Sequence, residues 1–199
     1  MSFLPEIKHV VYINLDERTD RRAQVEKELE EFGERVKRFS AIKNSTHGGI
    51  GCVESHIQVL KNAKAQNWDH VLIIEDDFVW KDKSSMPTLS KLMKEPYDVI
   101  LLAGTYVKCF KDSYRLYEAQ TTTAYVVSRH YYDILLANFE EGLQYLKSTT
   151  KWETYALDQY WKQLQHKDRW FIVLPGLATQ RTSFSDIQKR VVNYAGMFV

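Results

Sequence analysis

The sequence predicts an α/β fold: a mostly parallel central sheet flanked by helices, in one domain over residues 1–199. Three observations lead there. Short, almost wholly apolar runs suited to strands buried on both faces recur at residues 9–15, 71–74 and 97–103. Helical patterns separate such runs over the first half, which calls for right-handed crossovers between parallel strands. No linker, repeat or low-complexity stretch divides the chain.

The elements follow in order. Residues 9–15 are β-branched and aromatic and form the first strand. Residues 21–32 form a charged helix whose apolar positions are Ala23, Val25, Leu29 and Phe32; Thr19 or Asp20 caps its start and Gly33 its end. Residues 36–42 read as a short strand and 44–51 as a Gly-rich polar loop. Residues 54–65 make a helix with a narrow apolar face. The strand at 71–74 precedes a short helix at 88–93, after Pro87, and a strand at 97–103 closed by Gly104. Residues 105–120 read as a hairpin or loop, 121–128 as a strand, and 131–139 and 152–165 as helices. A last strand at 170–174 stops at Pro175-Gly176, and the tail is weakly patterned. The second half, richer in strands and loops, makes the sheet mixed.

Composition bounds the function. Apolar residues at 44% and charged residues at 27% describe an ordinary globular protein. With 27 Lys plus Arg against 26 Asp plus Glu, nothing favours broad binding to nucleic acid or to an anionic membrane. Cys52 and Cys109 lack the spacing of a metal site or a disulfide framework and read as free thiols of a reducing compartment. Neither a signal peptide nor a membrane span is visible, so a cytoplasmic location is expected. The sequon at Asn44-Ser45-Thr46 is then a chance match.

The most informative stretch is His70-Val71-Leu72-Ile73-Ile74-Glu75-Asp76-Asp77, where a buried strand ends in three carboxylates. Such charges are costly beside a core unless a cation offsets them. In an extended chain Glu75 and Asp77 share one face, which suits a hard divalent ion and, through it, phosphates. A solvated acidic turn is the plainer alternative. Two other polar segments fall where ligands of open α/β sheets bind. Residues 14–22 carry Arg18, Arg21 and Arg22 at a helix start, which suits anions or merely solvation. Residues 48–56 carry glycines that let backbone approach a ligand, then Ser55 and His56; the segment is neither a P-loop nor a dinucleotide fingerprint.

The order of these segments resembles glycosyltransferase family 25, which includes lipooligosaccharide and collagen galactosyltransferases. The matching residues are Val11-Tyr12-Ile13-Asn14-Leu15 with Arg18 and Arg21-Arg22, then Gly51-Cys52 with Ser55-His56, then Ile74-Glu75-Asp76-Asp77. Residues 123–128, Asp158, Pro175, Gln180 and Ser185-Asp186-Ile187 extend the likeness over nearly the whole chain. It implies a GT-A type fold, a UDP-sugar donor, usually a UDP-hexose, with Mn²⁺ or another divalent cation, and inverting transfer to a hydroxyl of a glycan or protein acceptor.

By the same resemblance Asp77 and Glu75 take the places of the two metal-site acids. Asp77 is the direct ligand, while Glu75 or Asp76 meets the ribose or a metal-bound water. Glu75 departs from a strict Asp-X-Asp, which leaves the division of labour open. Asn14, Leu15 and Arg18 or Arg22 line the nucleotide side. Gly51, Ser55 and His56 pack against the donor, although His56 reads equally as a structural helix-start histidine. Inversion needs a base, for which Asp158 leads and Glu153 and Asp186 follow; an exposed helix carboxylate is the plain alternative for Asp158. Trp152 and Tyr155 suit a sugar platform and Trp161 the core. A binding module without turnover, or a sugar nucleotidyltransferase, are the other functions the pattern allows. Asn14-Leu15-Asp16 lacks the Gly-rich loop expected of the latter.

Overall fold

The computed structural model of the chain describes residues 3–185 and 189–199. A six-stranded sheet forms its centre, in the order β2 (Val36–Ser40), β1 (Val10–Asn14), β3 (His70–Glu75), β8 (Ala124–Ser128), β5 (Val99–Leu101), β9 (Trp170–Ile172). The pairs β1–β2, β1–β3 and β5–β9 are parallel, and β8 runs antiparallel to both its neighbours. Among the described residues three antiparallel two-stranded pairs lie outside this sheet: β4 (Phe78–Trp80) with β10 (Ala178–Gln180), β6 (Thr105–Cys109) with β7 (Leu116–Gln120), and β11 (Ser183–Ser185) with β12 (Arg190–Val192).

The alternation of the strands builds two cores. Val11, Ile13, Val71, Ile73, Val99, Leu101, Tyr125 and Val127 face α2 (Gly48–Ala65) and α4 (Tyr132–Thr149), with Trp161 and Trp170 at the far end of that layer. Val10, Tyr12, Leu72, Ile74, Ile100 and Val126 face Val25 of α1 (Thr19–Glu28), Leu29 and Phe32, and Leu89 and Leu92 of α3 (Met86–Leu92). Val71 to Ile74 are wholly buried, as a strand covered on both faces must be. Among the described residues no helix is long and apolar enough to cross a membrane.

Several boundaries differ from the sequence expectations. Neither Thr19 nor Asp20 caps α1: Thr19 is already helical, and Arg18 occupies the cap position without a side-chain capping bond. The helix stops at Glu28 and continues as a 3₁₀ segment, Glu30–Arg35, in which Gly33 takes φ 58°. The Gly-rich segment is not wholly a loop. His47 accepts a hydrogen bond from the Gly49 amide at 3.2 Å and starts α2 at Gly48, six residues earlier than expected. The apolar face of α2 is also broad, because Ile50, Val53, Ile57, Val59, Leu60 and Ala63 are all buried against the sheet and α4. The helix at 131–139 runs on to Thr149. Residues 152–165 break into three single turns, α5 (Trp152–Tyr155), α6 (Leu157–Tyr160) and α7 (Lys162–Gln165); the first break falls at Ala156, which adopts an extended ψ of 150°.

Gly51 has a packing role. A Cβ there would meet the Ile42 carbonyl oxygen at 2.2 Å, so α2 can lie against the β2–α2 connection only without a side chain. Gly51→Ala is therefore expected to lower stability by about 1–3 kcal/mol, read as a lower urea midpoint with an unchanged slope; an unchanged midpoint would contradict the close approach.

Candidate active site

The carboxyl end of the sheet opens into a cavity of about 600 Å³. Glu75, Asp76 and Asp77 form part of its wall; Gly48, Gly49, Cys52 and His56 come from α2, Thr121 and Thr122 from the β7–β8 turn, and Trp152 and Asp158 from the broken helices.

The triplet is not extended. β3 ends at Glu75, and Asp76 and Asp77 form a turn into β4, so the i, i+2 relation between Glu75 and Asp77 does not hold. The three acids part instead. Glu75 points toward α2 and accepts hydrogen bonds from Thr122 Oγ1 at 2.6 Å and Gln180 Nε2 at 3.1 Å, with His56 Nε2 at 3.6 Å from Oε1. Burial works to raise its pKa, but the His56 ring, Thr122 and Gln180 outweigh it and hold the carboxyl below the usual range. Asp76 lies on the α1 side, where it accepts from Asn14 Nδ2 at 2.8 Å and Arg21 Nη1 at 2.7 Å. Its burial prevails over both partners and raises its pKa.

Asp77 is the least satisfied member. Its Oδ2 is 3.5 Å from Arg21 Nη1, and its buried Oδ1 has no hydrogen-bond partner. Burial, and then the charge of Glu75, push its pKa up to about 8. An orphaned carboxylate oxygen of this kind is suited to a cation, so the residues present fit a divalent ion at Asp77.

Arg21 rather than Arg18 or Arg22 serves the site. It shares a helix face with Val25, four residues on, and both are buried. Arg21 also donates to Ser183 Oγ at 2.6 Å and the Phe184 carbonyl at 2.9 Å, tying the tail to the acidic turn. Arg22 pairs with Glu26 on the exposed side, and Arg18 pairs with Asp20; neither lines the cavity. The buried i, i+4 spacing with Val25 was the available signal for Arg21.

The other expected residues divide. Leu15 lines the cavity, whereas Asn14 is spent on Asp76, the Arg18 carbonyl and Arg38. Ser55 reaches the cavity wall, but its hydroxyl donates to the Gly51 carbonyl at 2.7 Å and accepts from the Ile42 amide at 2.8 Å. Gly51 packs behind the wall; Gly48 and Gly49 line it instead. A Cβ on Gly49 would meet the Trp152 ring at 1.9 Å, so that glycine makes room for the indole. His56 is wholly buried, with Nδ1 2.7 Å from the Tyr125 hydroxyl.

Asp158 faces the cavity from α6 and accepts from the Thr121 amide at 3.1 Å; burial raises its pKa. It is thus no exposed helix carboxylate. Glu153 is exposed and outside the cavity, although its neighbour Trp152 lines it. Asp186 lies outside the described residues. Trp152 lines the cavity, but Tyr155 packs at a tilt against Tyr145 and Tyr160 instead of joining it. Trp161 is core, as expected. Lys43, Lys189, Tyr106 and Gln120 are lining residues that the sequence patterns did not point to.

Residues 43–132 match the family model of glycosyltransferase family 25 (LPS biosynthesis protein), bearing out over that stretch the likeness read from the motifs. It spans α2, the acidic triplet and β8; the β1 motif and the residues beyond 132 fall outside it. The match supports a glycosyltransferase. A glycosyltransferase involved in the glycosylation of the major capsid of PBCV-1 is similar at 12% identity and TM-score 0.55, over 84% of this chain and 81% of that one. A197 from STIV is similar at 14% identity and TM-score 0.54, over 94% and 95%. Both likenesses are of fold, and the α/β, GT-A type architecture is the one expected. No curated protein matches the chain.

The raised pKa of Asp77 has a pH signature. A folded value near 8 against an ordinary 3.8 means that the folded state holds a proton the unfolded state has lost. Stability from this group therefore falls as pH rises from about 4 to about 8. In protein stripped of metal by chelation, Asp77→Asn should become more stable relative to the parent by up to roughly 3 kcal/mol between pH 5 and pH 7. Parallel stability curves for the two proteins would contradict the assignment.

Proposed function

We propose that the chain transfers a hexose from a UDP-sugar to an acceptor hydroxyl, with inversion, and that Asp77 helps hold the divalent ion the donor requires. The observation that carries this reading is the orphaned, buried Asp77 carboxylate at the strand end, inside a cavity that also presents Asp158.

A divalent cation held by Asp77, with Glu75 behind it, would supply positive charge for the diphosphate leaving group. Lys43 and Lys189 border the same cavity and suit the donor's anionic end. Arg21, bonded to Asp76 and Ser183, fixes the acidic turn and the tail hairpin rather than reaching out to the donor. Gly49 makes room for the Trp152 indole at the cavity wall, and that ring suits a platform for a sugar or base. Asp158 takes the acceptor proton. Its raised pKa brings it closer to neutrality, where a base both accepts a proton and remains ionised. The Thr121 amide orients its carboxylate. The acceptor is a glycan or a hydroxyl-bearing protein.

UDP release from a panel of UDP-hexoses, with Mn²⁺ and with or without acceptor glycans, tests the roles. Asp77→Ala is expected to lower kcat/KM by at least about 100-fold while the fold survives. Asp158→Asn should lower kcat by about 10²–10⁴-fold with donor binding retained. Full turnover in Asp77→Ala, or loss of donor binding alone in Asp158→Asn, would overturn the respective assignment.

A further inference from the structure

Behind the acidic turn lies a second group of donor atoms with different chemistry. Cys52 Sγ, a His56 ring nitrogen and a Glu75 carboxylate oxygen all lie within 4.8 Å of one another. Cys52 and His56 stand four residues apart on one face of α2, and Glu75 meets them from the end of β3. All three line the cavity.

His56 gives the independent reason to read this cluster as a site. Its side chain is wholly buried, yet Nε2 has no hydrogen-bond partner and lies 3.6 Å from Glu75 Oε1. Its other nitrogen, Nδ1, is 2.7 Å from the Tyr125 hydroxyl. A bound metal would hold the ring proton on Nδ1, donated to Tyr125, and take the Nε2 lone pair, as in a metal-bound histidine whose second ring nitrogen is anchored. An unsatisfied nitrogen so deeply buried is costly unless something occupies the space before it.

We propose that Cys52, His56 and Glu75 form a binding site for a borderline-soft divalent cation, Zn²⁺ by chemical class, separate from a hard-cation position at Asp77. Thiolate and imidazole ligands select zinc over Mn²⁺ or Mg²⁺, which prefer oxygen. A tetrahedral zinc with bonds of about 2.0–2.3 Å sets its ligand atoms roughly 3.3–3.8 Å apart. The His56–Glu75 separation is already in that range, and the thiol sulfur lies within 4.8 Å of both. Binding forms Zn–S, Zn–N and Zn–O bonds and releases the Cys52 thiol proton to solvent, because the thiolate is the ligand. The inference does not rest on the transfer reading.

Two measurements on the full, reduced, chelator-stripped chain test it, neither needing turnover. Titration with Co²⁺ is expected to give a thiolate-to-cobalt charge-transfer band saturating at one equivalent and displaced by Zn²⁺. The band should vanish in Cys52→Ser and persist in Cys109→Ser and Asp77→Asn. In the unmutated chain, Zn²⁺ should slow N-ethylmaleimide labelling of Cys52 by at least about tenfold, with Cys109 as the internal control, as read by peptide mass spectrometry. A missing band with unprotected Cys52 would overturn the proposal and leave His56 and Glu75 a plain polar pair. A band that survives Cys52→Ser, or is lost in Asp77→Asn, would overturn it by placing the metal elsewhere.

Discussion

The carboxyl end of the sheet depends on one buried ion pair. Arg21 places a guanidinium between Asp76 and Asp77 and spends its other amine on Ser183 and the Phe184 carbonyl. Two acids on a turn following a wholly buried strand are costly to desolvate, and a partly buried guanidinium with several acceptors is among the few groups able to offset them. The same contacts bring α1, the acidic turn and the tail hairpin together. The offset is incomplete, since both Asp76 and Asp77 stay raised. Asp77, held protonated for want of a counter-charge and with one oxygen left without a partner, is a position where a cation could take the place of the proton.

Around that pair the triplet divides by direction. Glu75, the last strand residue, inherits the inward direction of Val71 and Ile73 and meets α2. Asp76 has the opposite direction and meets α1. Asp77, in the turn, is released from the strand's alternation. Three adjacent carboxylates thus face three environments, which is how one short run supports different protonation behaviour at each position. Across the cavity, the extended backbone at Ala156 ends one helical turn and starts the next; Trp152 of the first and Asp158 of the second line the cavity, while Glu153 is exposed.

Periodicity made much of this legible. The apolar runs at 9–15, 71–74 and 97–103 read as buried strands because two-sided burial leaves no polar alternation, and each contains one. The acidic triplet, Leu15, His56, Trp152 and Asp158 were visible as residue types at strand ends and helix starts. Other features depend on tertiary contact. The start of α2 rests on a bond from the Gly49 amide to a histidine ring, which no propensity scale anticipates for three glycines within four residues. Arg21 was overshadowed by Arg18 and Arg22 because charge alone does not reveal which arginine shares the face of Val25. Gly51 looked like a ligand-facing glycine, whereas the Ile42 carbonyl is what demands it.

Binding of UDP in the presence and absence of Mn²⁺, followed by thermal shift of the unmutated chain, addresses the nucleotide and the metal together. A rise in Tm that requires both, and that is absent for either alone, is the predicted result. No shift with UDP under either condition, or an equal shift without the metal, would contradict a metal-assisted donor site at Asp77.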